Sequence, residues 1–204
     1  PAIAFLTREL EADGAIVISA SHNPYEDNGI KIFDGKGEKL QDSDELVIEN
    51  LLEQPIKTVS AAELGRANRV MTAKELYSDF CVSHLSSPLE LSDLKLVVDC
   101  ANGATYQLAP LVFAKIGLSP IFVANSPDGV NINEDCGSTD PTMLRETVIS
   151  EKADLGIAFD GDGDRICLVD HEGGLLDGDD ILYLLATDLL KRGEDFGGVV
   201  GTLM

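Results

Sequence analysis

The chain has 204 residues, with 15 Lys and Arg against 36 Asp and Glu, for a formal net charge of −21. That balance excludes an electrostatic nucleic-acid binder. Of its residues 44% are hydrophobic and 25% charged, a globular composition, and no apolar run approaches the roughly 20 residues that would span a bilayer. Cys81, Cys100, Cys136 and Cys167 lie far apart, with no C-x-x-C pair and no visible secretory leader. Neither a zinc ribbon nor a disulfide framework is expected, and the expected location is cytoplasmic. The start at Pro1 and the apolar end Gly201-Thr202-Leu203-Met204 read as an excised piece.

Residues 2–12 have helical spacing through Ile3, Leu6 and Leu10, with Gly14 as the expected stop. A short buried strand is predicted at 15–20 and a second at 30–33, the latter ending in the turn Asp34-Gly35-Lys36-Gly37. Asp42 and Glu45 suit the start of a helix over 44–54, and Thr72 with Glu75 has capping-box spacing before an amphipathic helix through Tyr77, Phe80 and Leu85. Beyond it the pattern alternates. Strands are predicted at 94–99, 120–124 and 155–159, and helices at 105–116, stopped by Gly117, and at 141–152, capped by Asp140 with Pro141 as first residue.

Short apolar strands alternating with helices indicate a mixed-sheet α/β domain with helices on both faces, flanked by partial domains of the same type. A strand at 166–169 follows its predecessor after six residues, too few for a crossover helix, so that pair is predicted antiparallel. A helix at 179–191, capped by the acidic run 177–180, and a strand at 199–203 close the chain.

The densest polar cluster is Asp160-Gly161-Asp162-Gly163-Asp164-Arg165, between two apolar strands. Three carboxylates at alternate positions can converge on one hard cation, Mg²⁺ or Ca²⁺, because the glycines permit the backbone angles that aim them inward. An EF-hand is excluded, since its sixth and twelfth positions would be Arg165 and His171. The bland alternative is a solvated acidic hairpin loop.

The second cluster, Ser19-Ala20-Ser21-His22-Asn23-Pro24, sits where a predicted strand ends, the place where open α/β sheets bind ligands. Either serine could carry a phosphoryl group, with Lys31 on the next strand as its cation or as an acid/base, and the bland alternative is a turn. Asn102-Gly103-Ala104-Thr105 reads as a strand-to-helix turn rather than a phosphate cradle. His84 is expected to pack or cap at a helix end and His171 to lie in a turn, neither with chemistry.

Ser21-His22-Asn23-Pro24, then Asn28-Gly29-Ile30-Lys31, then the loop from Asp160 to Arg165 together resemble the α-D-phosphohexomutases, a likeness that also takes in the run Asp128-Gly129-Val130-Asn131-Ile132-Asn133. The resemblance implies a four-domain isomerase that interconverts sugar 6- and 1-phosphates through a phosphoserine and a bisphosphorylated sugar. It selects Ser21 over Ser19 as the phosphoserine. It assigns Asp160, Asp162 and Asp164, with a phosphoserine oxygen of Ser21, as ligands of Mg²⁺. It places His22, Lys31 and Arg165 around the transferring phosphoryl group, with Lys31 as general acid/base.

The implied partners are a hexose or hexosamine phosphate and its 1,6-bisphosphate, with no nucleic acid and no membrane; oligomeric state is not readable. The implied domains are the later part of the first at 1–72, the second at 73–174, and the first helix and strand of the third at 175–204. Two other classes compete. One is a non-catalytic Mg²⁺-binding α/β module, which would not need phosphate on Ser21. The other is an aspartyl-phosphate phosphatase, whose D-x-D-x-T/V pattern is broken by Asp164.

Overall fold

The computed structural model describes residues 1–85, 91 and 93–201. The chain forms two compact units, Pro1–Ser19 with Gly29–Ser86, and Ala20–Asn28 with Ser87–Met204.

In the first unit, helix α1 (Ala2–Glu9) leads into an antiparallel hairpin of β1 (Gly14–Ser19) and β2 (Gly29–Asp34), paired from Gly14 with Asp34 to Ser19 with Gly29. The helix stops earlier than expected. Glu11, not Gly14, takes the left-handed conformation at φ 50°, and the N–H groups of Glu11 and Ala12 bond the carbonyls of Arg8 and Thr7, which satisfies the helix end. Nor is β1 the buried strand predicted. Ile16 and Ile18, with Ile30 across the pair, are exposed, because among the described residues nothing covers that face of a two-stranded sheet.

Helix α2 (Asp42–Leu52) begins two residues before its predicted start, with Gln41 at the cap and Asp42, Asp44 and Glu45 in its first turn. Helix α3 (Ala73–Ser83) starts after Thr72, whose side chain makes no capping bond, so the capping-box spacing is not realised. Phe80 of α3 lies 4.3 Å from Phe5 of α1, ring centre to ring centre, which packs α3 into this first unit. His84 caps as expected, its Nδ1 2.8 Å from the Phe80 carbonyl.

The second unit is built on a five-stranded mixed sheet. Its strands are β3 (Leu96–Asp99), β4 (Ile121–Val123), β5 (Leu155–Phe159), β6 (Ile166–Asp170) and β7 (Leu175–Leu176), in the order β4-β3-β5-β6-β7. The first three are parallel, and β6 runs antiparallel to β5, as its short connection requires. Successive residues of a strand point to opposite faces, so Val97 and Val98 separate two cores. Val97 packs with Leu144 and Val148 of α5 (Thr142–Glu151), whereas Val98 packs with Ala109 and Phe113 of α4 (Leu108–Lys115). The sheet is therefore covered by helices on both faces.

Helix α4 is shorter than the predicted 105–116, and Pro110 explains it. The structure places a single 3₁₀ turn at Ala104–Tyr106 and restarts the helix at Leu108, so that a residue with no N–H falls in the first turn. Pro141 caps α5 rather than opening it, and Asp140 accepts the Thr142 N–H at 3.2 Å and its hydroxyl at 2.6 Å. Asp177 and Asp180 form a capping box for α6 (Gly178–Lys191). Of the strand predicted at 199–203, residues 199–201 are not a strand, and 202–204 lie outside the described residues.

Candidate active site

The parallel strands β3, β4 and β5 all deliver their C-terminal ends to one edge of the sheet, where open α/β sheets hold ligands. The loop that follows β5 is the acidic hexapeptide. Asp160 is fully buried, and its Oδ1 accepts the N–H groups of Asp164 and Arg165, both at 3.1 Å. Those bonds, with the Gly163 N–H on the Asp160 carbonyl at 3.0 Å and Gly163 at φ 69°, fold the loop back on its first residue. Carboxylate oxygens of Asp160, Asp162 and Asp164 come to lie within 4.8 Å of one another.

The electrostatics of this loop are unfavourable as it stands. Burial pushes the Asp160 carboxyl above its usual range; the Arg165 N–H opposes that, and the charges of Asp162 and Asp164 add to it. Asp160 Oδ2 is buried and meets no hydrogen-bond donor. An orphaned buried oxygen beside two further carboxylates is a donor set that fits a hard cation, which would satisfy the oxygen and neutralise the cluster. The hairpin-loop reading is correct about connectivity, since the loop joins β5 to β6, and the Oδ1 bonds of Asp160 serve that turn, but they leave its buried Oδ2 without a partner.

The segment 20–28 belongs to this same unit. Ala20 is buried, and the Asn23 N–H closes a turn onto its carbonyl at 3.0 Å. Within that turn Ser21 adopts φ 55°, a left-handed conformation unusual for a serine. It directs the hydroxyl to Asp162, with Ser21 Oγ donating to Asp162 Oδ1 at 3.2 Å. The Nδ1 of His22 is buried with no partner.

The structure thus joins Ser21 to the acidic loop across 141 residues. Ser19 stays in β1, in the other compact unit, paired with Gly29. Lys31 is also carried by the first unit, on β2 opposite Val17. Arg165 follows the third acid, with its Nε 3.9 Å from Asp164 Oδ1 and its side chain half exposed.

Three supports have little signature in the sequence. Asp99, fully buried at the end of β3, accepts the N–H groups of Ala101 and Gly137, each at 2.8 Å. The turn after it packs onto the acidic loop: the Ala104 N–H donates to the Gly161 carbonyl at 2.7 Å, and a Cβ on Gly103 would fall 2.3 Å from that same oxygen. Gly103 is therefore fixed by close approach, and the strand-to-helix turn is the correct reading of that segment. Asn133 donates from Nδ2 to the carbonyls of Ser21 at 2.9 Å and Asn23 at 2.8 Å. Its presence in a run of Asn and Asp gave no hint of those distant partners.

Residues 1–58 match the family described as phosphoglucomutase/phosphomannomutase, alpha/beta/alpha domain I, and residues 75–174 match alpha/beta/alpha domain II of the same family. A phosphoglucosamine mutase of Erwinia tasmaniensis is 55% identical over all 204 residues, which cover 46% of that protein; the chain spans less than half the length of the curated relatives it matches. Among solved structures, a phosphoglucomutase/phosphomannomutase family protein from Burkholderia thailandensis superposes with a TM-score of 0.69 at 28% identity, over 89% of this chain and 38% of that one. The N-acetylphosphoglucosamine mutase of Aspergillus fumigatus, solved with GlcNAc-6P and magnesium, shares the fold at a TM-score of 0.54 and 23% identity, over 93% of this chain and 52% of its own. With most of its length matched by two consecutive domains of one family, the chain belongs to the phosphoglucomutase/phosphomannomutase family.

Proposed function

We propose that this chain carries the phosphoserine and the metal-holding loop of a phosphoglucosamine mutase, an isomerase that interconverts glucosamine 6-phosphate and glucosamine 1-phosphate. The observation that carries the reading is the Ser21 hydroxyl on Asp162, against a loop whose buried Asp160 has an oxygen with no donor. The choice of sugar follows the phosphoglucosamine mutases that match the whole chain. In this reading residues 1–72 belong to the first domain, 73–174 are the second, and 175–204 begin the third. The enzyme works in the cytoplasm; among the described residues no helix is long and apolar enough to cross a membrane.

Phosphorylated Ser21 gives its phosphoryl group to a sugar hydroxyl. The Ser21 Oγ–P bond breaks as the new O–P bond forms, Lys31 as the neutral amine takes the hydroxyl proton, and the departing Ser21 Oγ takes its proton from solvent water. The bisphosphorylated sugar then turns end for end, and the same steps in reverse return its other phosphoryl group to Ser21. His22 and Arg165 hold the phosphoryl oxygens. On a chain of net charge −21 the local positive groups matter, because an anionic sugar would otherwise be repelled. Asp160, Asp162 and Asp164, with an oxygen of phosphorylated Ser21, would hold Mg²⁺, which when bound offsets negative charge at the transferring group.

The test is made on the complete protein that carries this chain. Incubation with labelled glucose 1,6-bisphosphate should place the label on Ser21, and Ser21→Ala should take none. Label on Ser19, or equal labelling of Ser21→Ala, would overturn the assignment. Assayed side by side, glucosamine 6-phosphate should turn over faster than glucose or mannose 6-phosphate; the reverse order would make the protein a phosphoglucomutase or phosphomannomutase.

A further inference from the structure

We propose that Asn133 is the positioning residue for the phosphoryl carrier: its side-chain amide fastens the Ser21–Asn23 turn so that the Ser21 hydroxyl faces the acidic loop. This rests on the reading of Ser21 as the carrier. Both hydrogens of one amide nitrogen are committed, to the Ser21 carbonyl at 2.9 Å and to the Asn23 carbonyl at 2.8 Å, so the clamp straddles His22. Asn133 is itself anchored, its N–H on the Ala101 carbonyl at 2.9 Å. At φ 57° it occupies a left-handed conformation that Asn tolerates better than most residues.

The clamp also touches the loop it serves. A Cβ on Gly161 would lie 2.4 Å from the Ser21 carbonyl oxygen and 2.8 Å from Asn133 Nδ2, so the backbone between Asp160 and Asp162 rests directly on the clamped turn. Ser21 needs such restraint, because its own backbone at φ 55° is a conformation that persists only where the surroundings impose it. Without the amide the turn can relax toward ordinary angles, and the hydroxyl then swings away from Asp162.

Two variants of the complete protein test this. Asn133→Gly deletes both donors while relieving any strain at φ 57°, and Asn133→Asp keeps the shape but sets a carboxylate oxygen against two carbonyls. The rate of Ser21 phosphorylation by glucose 1,6-bisphosphate in a single turnover should fall by roughly 10- to 100-fold in both, since a misplacement of about 1 Å costs that order of rate. KM for the bisphosphate and the affinity for Mn²⁺ should stay within about twofold, a split that general unfolding would not produce.

Asn131→Ala serves as the control. It removes the Asn131 side chain that accepts from the Asp128 N–H and donates to the Ser126 carbonyl in the same loop, touches nothing in the Ser21 turn, and should phosphorylate at the parental rate. If Asn133→Asp does not fold, Asn133→Gly carries the test. Phosphorylation of Asn133→Gly at the parental rate, or an equal loss in Asn131→Ala, overturns the clamp while leaving Ser21 as carrier. A parental protein that takes phosphate elsewhere overturns the underlying reading and the clamp with it.

Discussion

Asp160 is a fully buried carboxylate whose two oxygens are served unequally. Its Oδ1 is satisfied by two backbone N–H groups, its Oδ2 by none, and two further acids stand within reach. Asp162→Asn therefore separates metal binding from folding. The amide oxygen can still accept from Ser21, but one of three charges is gone, and Mg²⁺ affinity by calorimetry should fall about tenfold or more, on the order of 1.4 kcal/mol. Without metal the same variant should melt no lower than the parent, because it removes a like charge beside Asp160. Unchanged Mg²⁺ affinity would contradict the three-carboxylate site. At this scale the acidic loop was legible in the sequence as a cluster, because three acids and two glycines stand within six residues, whereas the choice of Ser21 over Ser19 came from the resemblance. Asn133 and Asp99 were not legible, since each acts on backbone groups more than thirty residues away or across a turn, and nothing beside them in sequence marks those partners.

Among the elements, β3 does more than fill the sheet, because its last residue organises the turn that supports the acidic loop. Asp99 spends one oxygen on Ala101 and the other on Gly137. Asp99→Asn would turn one of those acceptors into a donor facing an N–H at a site with no exposure, so a loss of about 2–4 kcal/mol is expected in chemical denaturation. The cost should depend on pH. Burial raises the Asp99 carboxyl above its usual range, and the two N–H bonds only partly oppose it. A raised folded value gives stability that is present below the unfolded value and lost as pH rises through the folded one. The variant lacks that loss, so its deficit should be larger near pH 4 than at pH 7; a deficit that grows with pH would show that the ionised form is the favoured one. The elements themselves were readable where periodicity and punctuation agree, as in β5 and the β5–β6 pair. They shifted where a single residue intervenes: Pro110 splits a predicted helix into a 3₁₀ turn and α4, and Glu11 ends α1 before its glycine. The two-residue β7 is too short to carry an alternation signal at all.

For the molecule as a whole, the proposed chemistry asks for more than one phosphate site. A bisphosphorylated sugar must present first one end and then the other to Ser21, so the end that is not reacting needs its own binding groups. The resemblance implies a four-domain enzyme, and the 204 residues match only 46% of a relative's length, so those groups are expected in the remainder of the complete protein. Holding both ends of a substrate in register can account for roughly 7–11 kcal/mol of barrier lowering, a contribution that the acidic loop and Ser21 cannot replace. The 204-residue chain on its own should therefore bind Mg²⁺ at the acidic loop yet convert no hexose phosphate measurably in a coupled assay. Retained metal binding and circular dichroism would show that the inactivity is not unfolding. Turnover within about tenfold of the complete protein, a deficit of only ~1.4 kcal/mol, would mean that these 204 residues hold both ends of the sugar by themselves. The phosphate site opposite Ser21 would then have to be sought among the residues described here.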